Sequence, residues 1–191
     1  MTEELKQIGE RITALREIMG VDAQTLADAV GLPLDEYLKY ENGEVDFSFG
    51  FVYTIATVLG RDVMEIMTGV APKLRMATFV RSGGGVKIER QKAYSYEHLA
   101  YTFRDKLAEP FLVTVAYDPG KKLPKRNTHE GQEFDYVLEG KLRVSIGERE
   151  YLLNPGDSIY YDSSYPHAMQ AIDEDVKLIA VVMASGEEQQ K

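Results

Sequence analysis

Three side chains able to hold a metal ion lie close together in the second half of the sequence. His129 and Glu133 stand four positions apart in Thr128-His129-Glu130-Gly131-Gln132-Glu133-Phe134-Asp135-Tyr136-Val137-Leu138-Glu139-Gly140, and Tyr165-Pro166-His167 supplies a second imidazole. Two neutral imidazoles and one carboxylate suit a divalent ion such as Fe, Mn, Ni or Zn. A set of three ligands also leaves positions open for water or substrate. The chain has only 3 histidines, so two of them in this pattern carry weight. Without an ion, the same three groups can satisfy one another or an effector through hydrogen bonds, because buried polar groups require partners.

These side chains need strands to position them. Alternation puts Glu133, Asp135 and Val137 on one face of a strand and Phe134, Tyr136 and Leu138 on the other. His129 lies two pleat periods before Glu133, so both can point into one interior. Asn154-Pro155-Gly156-Asp157 makes a tight return that brings Ser158 to Tyr161 alongside, and His167 enters from the next strand. Upstream, Met76 to Val80 is strand-like, and Arg81-Ser82-Gly83-Gly84-Gly85 is a loop. Val86 to Glu89, Tyr94 to Ala100 and Phe111 to Tyr117 are candidate strands rich in aromatic and β-branched residues. Tyr94, Tyr96 and Tyr101 either line a ligand pocket or pack at a sheet face or dimer interface. His98 reads as an ordinary strand or surface histidine. The basic loop Lys121-Lys122-Leu123-Pro124-Lys125-Arg126 either holds an anionic ligand through residues such as Arg126 or is simply solvated.

The first third has a different period. Leu5, Ile8, Ile12, Leu15 and Met19 follow helical spacing, and Gly20 ends that helix. Asp22 caps a second helix with Leu26, Ala27 and Val30 inward, ended by Gly31. Pro33 suits the first turn of a third, which carries Leu34, Tyr37 and Leu38 inward and closes at Glu41-Asn42-Gly43. Ser48 caps a fourth with Val52, Ile55, Ala56 and Leu59, and Asp62 caps a fifth running to about Met67. Val70-Ala71-Pro72-Lys73 reads as a linker. Helices followed by strands indicate an α + β chain of two domains, 1–70 and 71–185, with 186–191 a polar tail.

Composition sets outer limits. A hydrophobic share of 44% and a charged share of 28% are those of an ordinary globular chain. With 0 cysteines there are no disulfides, thiolate nucleophiles or Cys-type zinc sites, which fits a reducing, cytoplasmic setting. The charged N-terminus lacks a signal-peptide pattern, and no apolar run reaches membrane-spanning length. The net charge of −9 argues against broad affinity for nucleic acid or anionic membrane.

Two resemblances follow from these residues. Gln24-Thr25-Leu26-Ala27-Asp28-Ala29-Val30-Gly31, Tyr40-Glu41-Asn42-Gly43 and Ile55-Ala56-Thr57-Val58-Leu59-Gly60 resemble the Cro/repressor-type (XRE-family) helix-turn-helix fold. That implies a DNA-binding unit whose third helix enters the major groove, through Leu34, Asp35, Lys39 and Asn42. Up to Val70, however, Lys6, Arg11, Arg16, Lys39 and Arg61 face thirteen acids, a local net of −8. Phosphate-binding charge is therefore scarce. The alternative is a helical module kept for packing or partner contact.

From about Phe111 to Met183 the chain resembles the cupin superfamily, a double-stranded β-helix (jelly-roll barrel). Its first motif matches at His129, Glu133 and Gly140, with Asn127 where a histidine is usual. Its second matches at Pro155-Gly156-Asp157 and Pro166-His167. The resemblance implies His129, Glu133 and His167 as metal ligands, with the amide of Asn127 as a weak or outer-sphere fourth. Tyr96, Tyr101, Asp135 and Arg126 are the candidate effector contacts.

The domain order resembles bacterial transcriptional regulators in which the cupin senses a small molecule and biases a dimeric DNA-binding form. It also resembles the hydroxypropylphosphonic acid epoxidases, mononuclear non-haem iron enzymes, in His129-Glu130-Gly131-Gln132-Glu133-Phe134, Pro166-His167-Ala168 and Leu178-Ile179-Ala180-Val181. Those enzymes bring a helical-domain lysine to the active site, and the region around Gly20 here has none. The reading carried forward is a cytoplasmic, homodimeric, effector-sensing regulator, with the iron enzyme as the alternative.

Overall fold

The computed structural model describes residues 3–90, 94–120 and 124–183. Lys121–Leu123 of the basic loop and the 186–191 tail lie outside the described residues. The chain forms two compact units: Met1–Met76 with Thr102–Asp105, and Ala77–Tyr101 with Lys106–Lys191.

The first unit holds α1 (Glu3–Met19), α2 (Ala23–Ala29), α3 (Leu34–Glu41), α4 (Phe49–Val58) and α5 (Val63–Thr68). Local capping sets their starts. The carboxylates of Asp22 and Asp62 accept from the Thr25 and Met64 N–H groups, and the Ser48 hydroxyl accepts from the Phe51 N–H. Each cap satisfies a donor that has no partner inside its helix. Ile8, Ile12, Leu26, Tyr37, Ile55 and Ile66 are fully enclosed at the centre. Gly9 lets α1 approach the end of α3, since a Cβ there would collide with the Glu41 carbonyl.

One buried polar knot ties α1 to α3. Arg16 donates to both Glu41 oxygens, at 2.6 and 2.9 Å, while the Tyr37 hydroxyl donates at 2.7 Å and the Thr13 hydroxyl at 3.0 Å. Glu41 therefore does more than close a helix. Two expected core positions turn outward: Leu38 is 38% exposed and Met19 46%. Met19 still meets the Arg61 guanidinium through its sulfur, at 3.4 Å, but helical spacing alone overcounted the inner face. After α5, Leu74 pairs with Phe103 in a short parallel bridge. The expected strand at Met76 to Val80 is absent, and those residues are irregular.

The second unit is built from β1 (Val86–Arg90), β2 (Tyr94–His98), β3 (Ala108–Val115), β4 (Gln132–Glu139), β5 (Leu142–Ile146), β6 (Arg149–Leu153), β7 (Ser158–Asp162), β8 (His167–Ala171) and β9 (Val176–Met183). Six strands form one antiparallel sheet in the order β1-β2-β3-β9-β4-β7, and three form a second in the order β6-β5-β8. This is the two-sheet jelly roll of a cupin barrel. Inward residues alternate with outward ones: Glu133, Asp135 and Val137 are buried, whereas Gln132, Tyr136 and Leu138 are exposed. Gly140, at φ +77°, turns β4 into β5 with backbone packed against it, so a Cβ would press on the Asp175 carbonyl.

His98 is not a surface residue. It is completely enclosed, with Nε2 2.5 Å from Glu109 and Nδ1 accepting from the Ala100 N–H at 3.0 Å. The Lys106 ammonium lies 3.6 Å from the same Glu109 carboxylate, which thus serves both the imidazole and the ammonium. No helix among the described residues is long and apolar enough to cross a membrane.

Candidate metal centre

Glu133 sits on the inner face of β4, directly opposite Tyr161 of β7. His129 lies just ahead of β4, and its backbone N–H donates to the Ser163 carbonyl at 3.1 Å. His167 begins β8 in the other sheet. Its N–H and C=O both pair with Asn127, at 2.9 and 2.8 Å, which locks it beside the His129 segment. The two sheets thus deliver the two imidazoles to one carboxylate. The candidate ligand atoms of His129, Glu133 and His167 all lie within 4.8 Å of one another, and all three residues are buried.

The proton positions follow from the backbone. His129 Nδ1 is 3.1 Å from the Glu130 carbonyl, and His167 Nδ1 is 2.9 Å from the Tyr165 carbonyl. A carbonyl only accepts, so each Nδ1 carries the proton and each Nε2 presents a lone pair when the ring is neutral. Both Nε2 atoms face the same Glu133 oxygen, at 3.2 and 3.9 Å. Lone pairs converging on a carboxylate call for a cation or a proton between them. Backbone bonds to Nδ1 are also what orients metal-binding histidines. The donor set therefore fits a divalent ion.

Electrostatics point the same way. Burial pushes the Glu133 carboxyl up, but positive charge at the two Nε2 atoms outweighs it and holds the carboxyl below the usual range. A proton there makes the hydrogen bond from His129 and charges both rings, and a divalent ion would take the same place. Burial lowers His167, favouring the neutral ring a metal requires. Asp135 is pushed well above the usual carboxylate range, first by burial and then by the neighbouring Glu133 charge.

The remaining candidates divide. Asp135 and Tyr96 belong to the barrel interior, since the Glu133 and Asp135 charges act directly on the Tyr96 phenol. Tyr101 lies half-buried in the turn after β2, Arg126 is exposed, and neither is among the groups acting on Glu133 or Asp135. Asn127 engages His167 through its backbone. On α3, Asp35, Lys39 and Asn42 are exposed and Leu34 is half-buried. Two residues escaped notice in the sequence. Tyr161, whose hydroxyl donates to Asp135 at 3.4 Å, could have been found by counting pleats forward from the Pro-Gly-Asp turn. Ser163, which flanks His129, lies beyond regular pairing, where no periodicity marks it.

Comparison with known proteins places this geometry in a class. Residues 113–182 match the family model of the cupin domain. The whole chain superposes on an HTH_3 family transcriptional regulator from Vibrio cholerae with a TM-score of 0.70 at 20% identity, covering 95% of this chain and 97% of that one. The protein thus carries a helix-turn-helix unit ahead of a cupin domain.

Individual relatives divide between two activities. The (S)-2-hydroxypropylphosphonic acid epoxidase of Streptomyces wedmorensis is 28% identical over 179 residues, 87% of this chain and 90% of its own. A crystal structure of that epoxidase in its Fe(II) form superposes with a TM-score of 0.51 at 26% identity, over 94% of this chain and 100% of the other. The HTH-type transcriptional regulator PuuR of Escherichia coli is 22% identical over 169 residues, 88% of this chain and 89% of its own.

Proposed function

We propose that the protein is a cytoplasmic, homodimeric, DNA-binding transcriptional regulator of the XRE type, whose cupin barrel senses a small-molecule effector through a bound divalent metal. The observation that carries the reading is the pairing of a capped five-helix helix-turn-helix unit with a barrel that gathers His129, Glu133 and His167 at one point. An ion held there supplies a fixed positive centre with positions free for an effector. His129 and His167 hold it through Nε2, Glu133 balances its charge, and Tyr96 and Asp135 shape the space around it. Arg126 and Tyr101 are assigned to the approach, and Asn127 to the outer sphere. Of these metals, Fe and Mn suit the mixed nitrogen and oxygen donors well.

Effector binding regulates only if it favours one arrangement of the DNA-reading helices over another. On α3, exposed Lys39 and Asn42 are the residues best suited to meet DNA, with Leu34 and Asp35 at the start of the same helix. Purified protein is expected to retard DNA from its own upstream region at low ionic strength, with affinity altered by the effector. Added salt weakens that binding.

A second reading has its own observation, the 28% identity to the epoxidase, which exceeds the identity to the regulator PuuR. On that reading the protein consumes oxygen in an Fe(II)-dependent manner with a small phosphonate, and His129→Ala abolishes it. Oxygen uptake indistinguishable from that of a protein-free Fe(II) control removes this reading.

A further inference from the structure

Among the described residues, two buried polar atoms of the barrel have no hydrogen-bond partner, Oδ1 of Asp135 and Oγ of Ser163. Both residues are at 0% exposure. Leaving a buried polar group bare is costly, so folded proteins leave few without a water, ion or ligand to serve them. These two bracket the candidate metal centre. Asp135 lies one pleat period beyond Glu133 on the inner face of β4, and its other oxygen accepts from the Tyr161 hydroxyl. Ser163 lies beyond Glu133 in the other direction, beside His129, because β4 and β7 pair Asp135 with Ile159 and Glu133 with Tyr161. Its carbonyl accepts from the His129 N–H, and its own N–H donates to the Gly131 carbonyl, both at 3.1 Å.

We propose that Asp135 and Ser163 hold hydroxyl groups carried at the metal centre, either coordinated water or the hydroxyl of a small uncharged effector. This inference rests on the metal-sensing reading and adds Ser163 to the site. Hydroxyls match both atoms, because one can donate to the carboxyl oxygen of Asp135 and another, on the far side of Glu133, can accept from the Ser163 O–H. An oxyanion matches poorly. The charges acting on Glu133, Asp135, Tyr96 and Tyr161 are their own, those of Tyr94 and those of the two histidines. No Lys or Arg of the described residues is among them, so a phosphate would find no Lys or Arg counter-charge from those residues.

The test uses the full chain loaded with Mn(II), comparing wild type, Asp135→Asn and Ser163→Ala by Mn(II) affinity, electron paramagnetic resonance and water-proton relaxation. Asp135→Asn is expected to weaken Mn(II) binding about 10-fold, as outer partners of metal sites do. Ser163→Ala is expected to keep the affinity but change the resonance line shape and the water relaxation. Thermal melts establish that each variant is folded, and if Asp135→Asn does not fold, Ser163→Ala decides alone.

Added propane-1,2-diol separates the two sources of the hydroxyl. Reduced water relaxation assigns the place to an organic hydroxyl, and unchanged relaxation assigns it to water. Inorganic phosphate acting at lower concentration than the diol overturns the preference for a hydroxyl. Folded variants identical to wild type in all three readouts overturn the proposal. A wild-type protein that binds no Mn(II) removes the metal-sensing reading itself, and this inference with it.

Discussion

Glu133→Gln is expected to lower the affinity of the protein for Mn(II) or Fe(II) by about 100-fold or more, beyond the ~10–100-fold loss usual for outer partners of a metal site. The amide keeps the shape of the carboxylate and removes its charge. In the native barrel Glu133 is the group on which both Nε2 atoms converge, at 3.2 and 3.9 Å. An ion that binds only the folded state stabilises it by about 2.7 kcal/mol at a hundredfold excess over its dissociation constant. Wild type should therefore melt at a higher temperature with saturating metal, and Glu133→Gln should not. His129→Ala should behave the same way. If the three residues merely satisfy one another, Glu133→Gln changes the metal-free melt, and metal shifts neither protein.

The second large effect lies in the helical unit. Glu41→Ala is expected to destabilise that unit by about 3 kcal/mol, because it strands Arg16, the Tyr37 hydroxyl and the Thr13 hydroxyl together. Arg16 keeps some contact with solvent, which holds the figure to the low end for a broken buried pair. The loss should depend on pH. Burial pushes Glu41 up, but hydrogen bonds from Arg16, Tyr37 and Thr13 outweigh it, so its folded-state pKa lies below the ordinary 4.5. A carboxylate depressed by folding contributes stability that is fully present above its unfolded value and lost as pH falls through the folded one. The gap between wild type and Glu41→Ala in chemical denaturation should thus be widest near neutral pH and shrink below about pH 4. A gap that does not change with pH would show that Glu41 acts through packing alone.

Features with local causes were legible in the sequence. Asp22, Ser48 and Asp62 cap helices through bonds spanning two or three residues, and a sequence displays such bonds directly. The period-two burial of β4 and the Pro-Gly-Asp return were equally visible, and with them His129, Glu133 and His167.

Features with distant causes were not legible. His98 looked ordinary because its partner Glu109, and the Lys106 that pairs with Glu109, lie on the far side of a turn. Leu38 fits a helical stripe, and only the neighbouring helices decide that it faces outward. Met76 to Val80 has strand-forming residues but gains no strand to pair with, and β propensity without a partner makes no strand. Ser163 stands out only once its buried hydroxyl is seen to lack a partner.

The acidity of the helical unit remains the sharpest tension. Arg16 is committed to Glu41, while Arg11 donates to the Met67 carbonyl and Arg61 lies near Glu65. Few cations are left to meet phosphates, so binding must lean on base and shape contacts more than is usual. The most direct measurement is fluorescence anisotropy of the full-length protein on labelled DNA from upstream of its own gene, at low ionic strength, with and without saturating Mn(II). The account predicts saturable binding that salt weakens, that a scrambled duplex does not reproduce, and whose affinity shifts when the barrel is loaded. No specific binding in either metal state would contradict it.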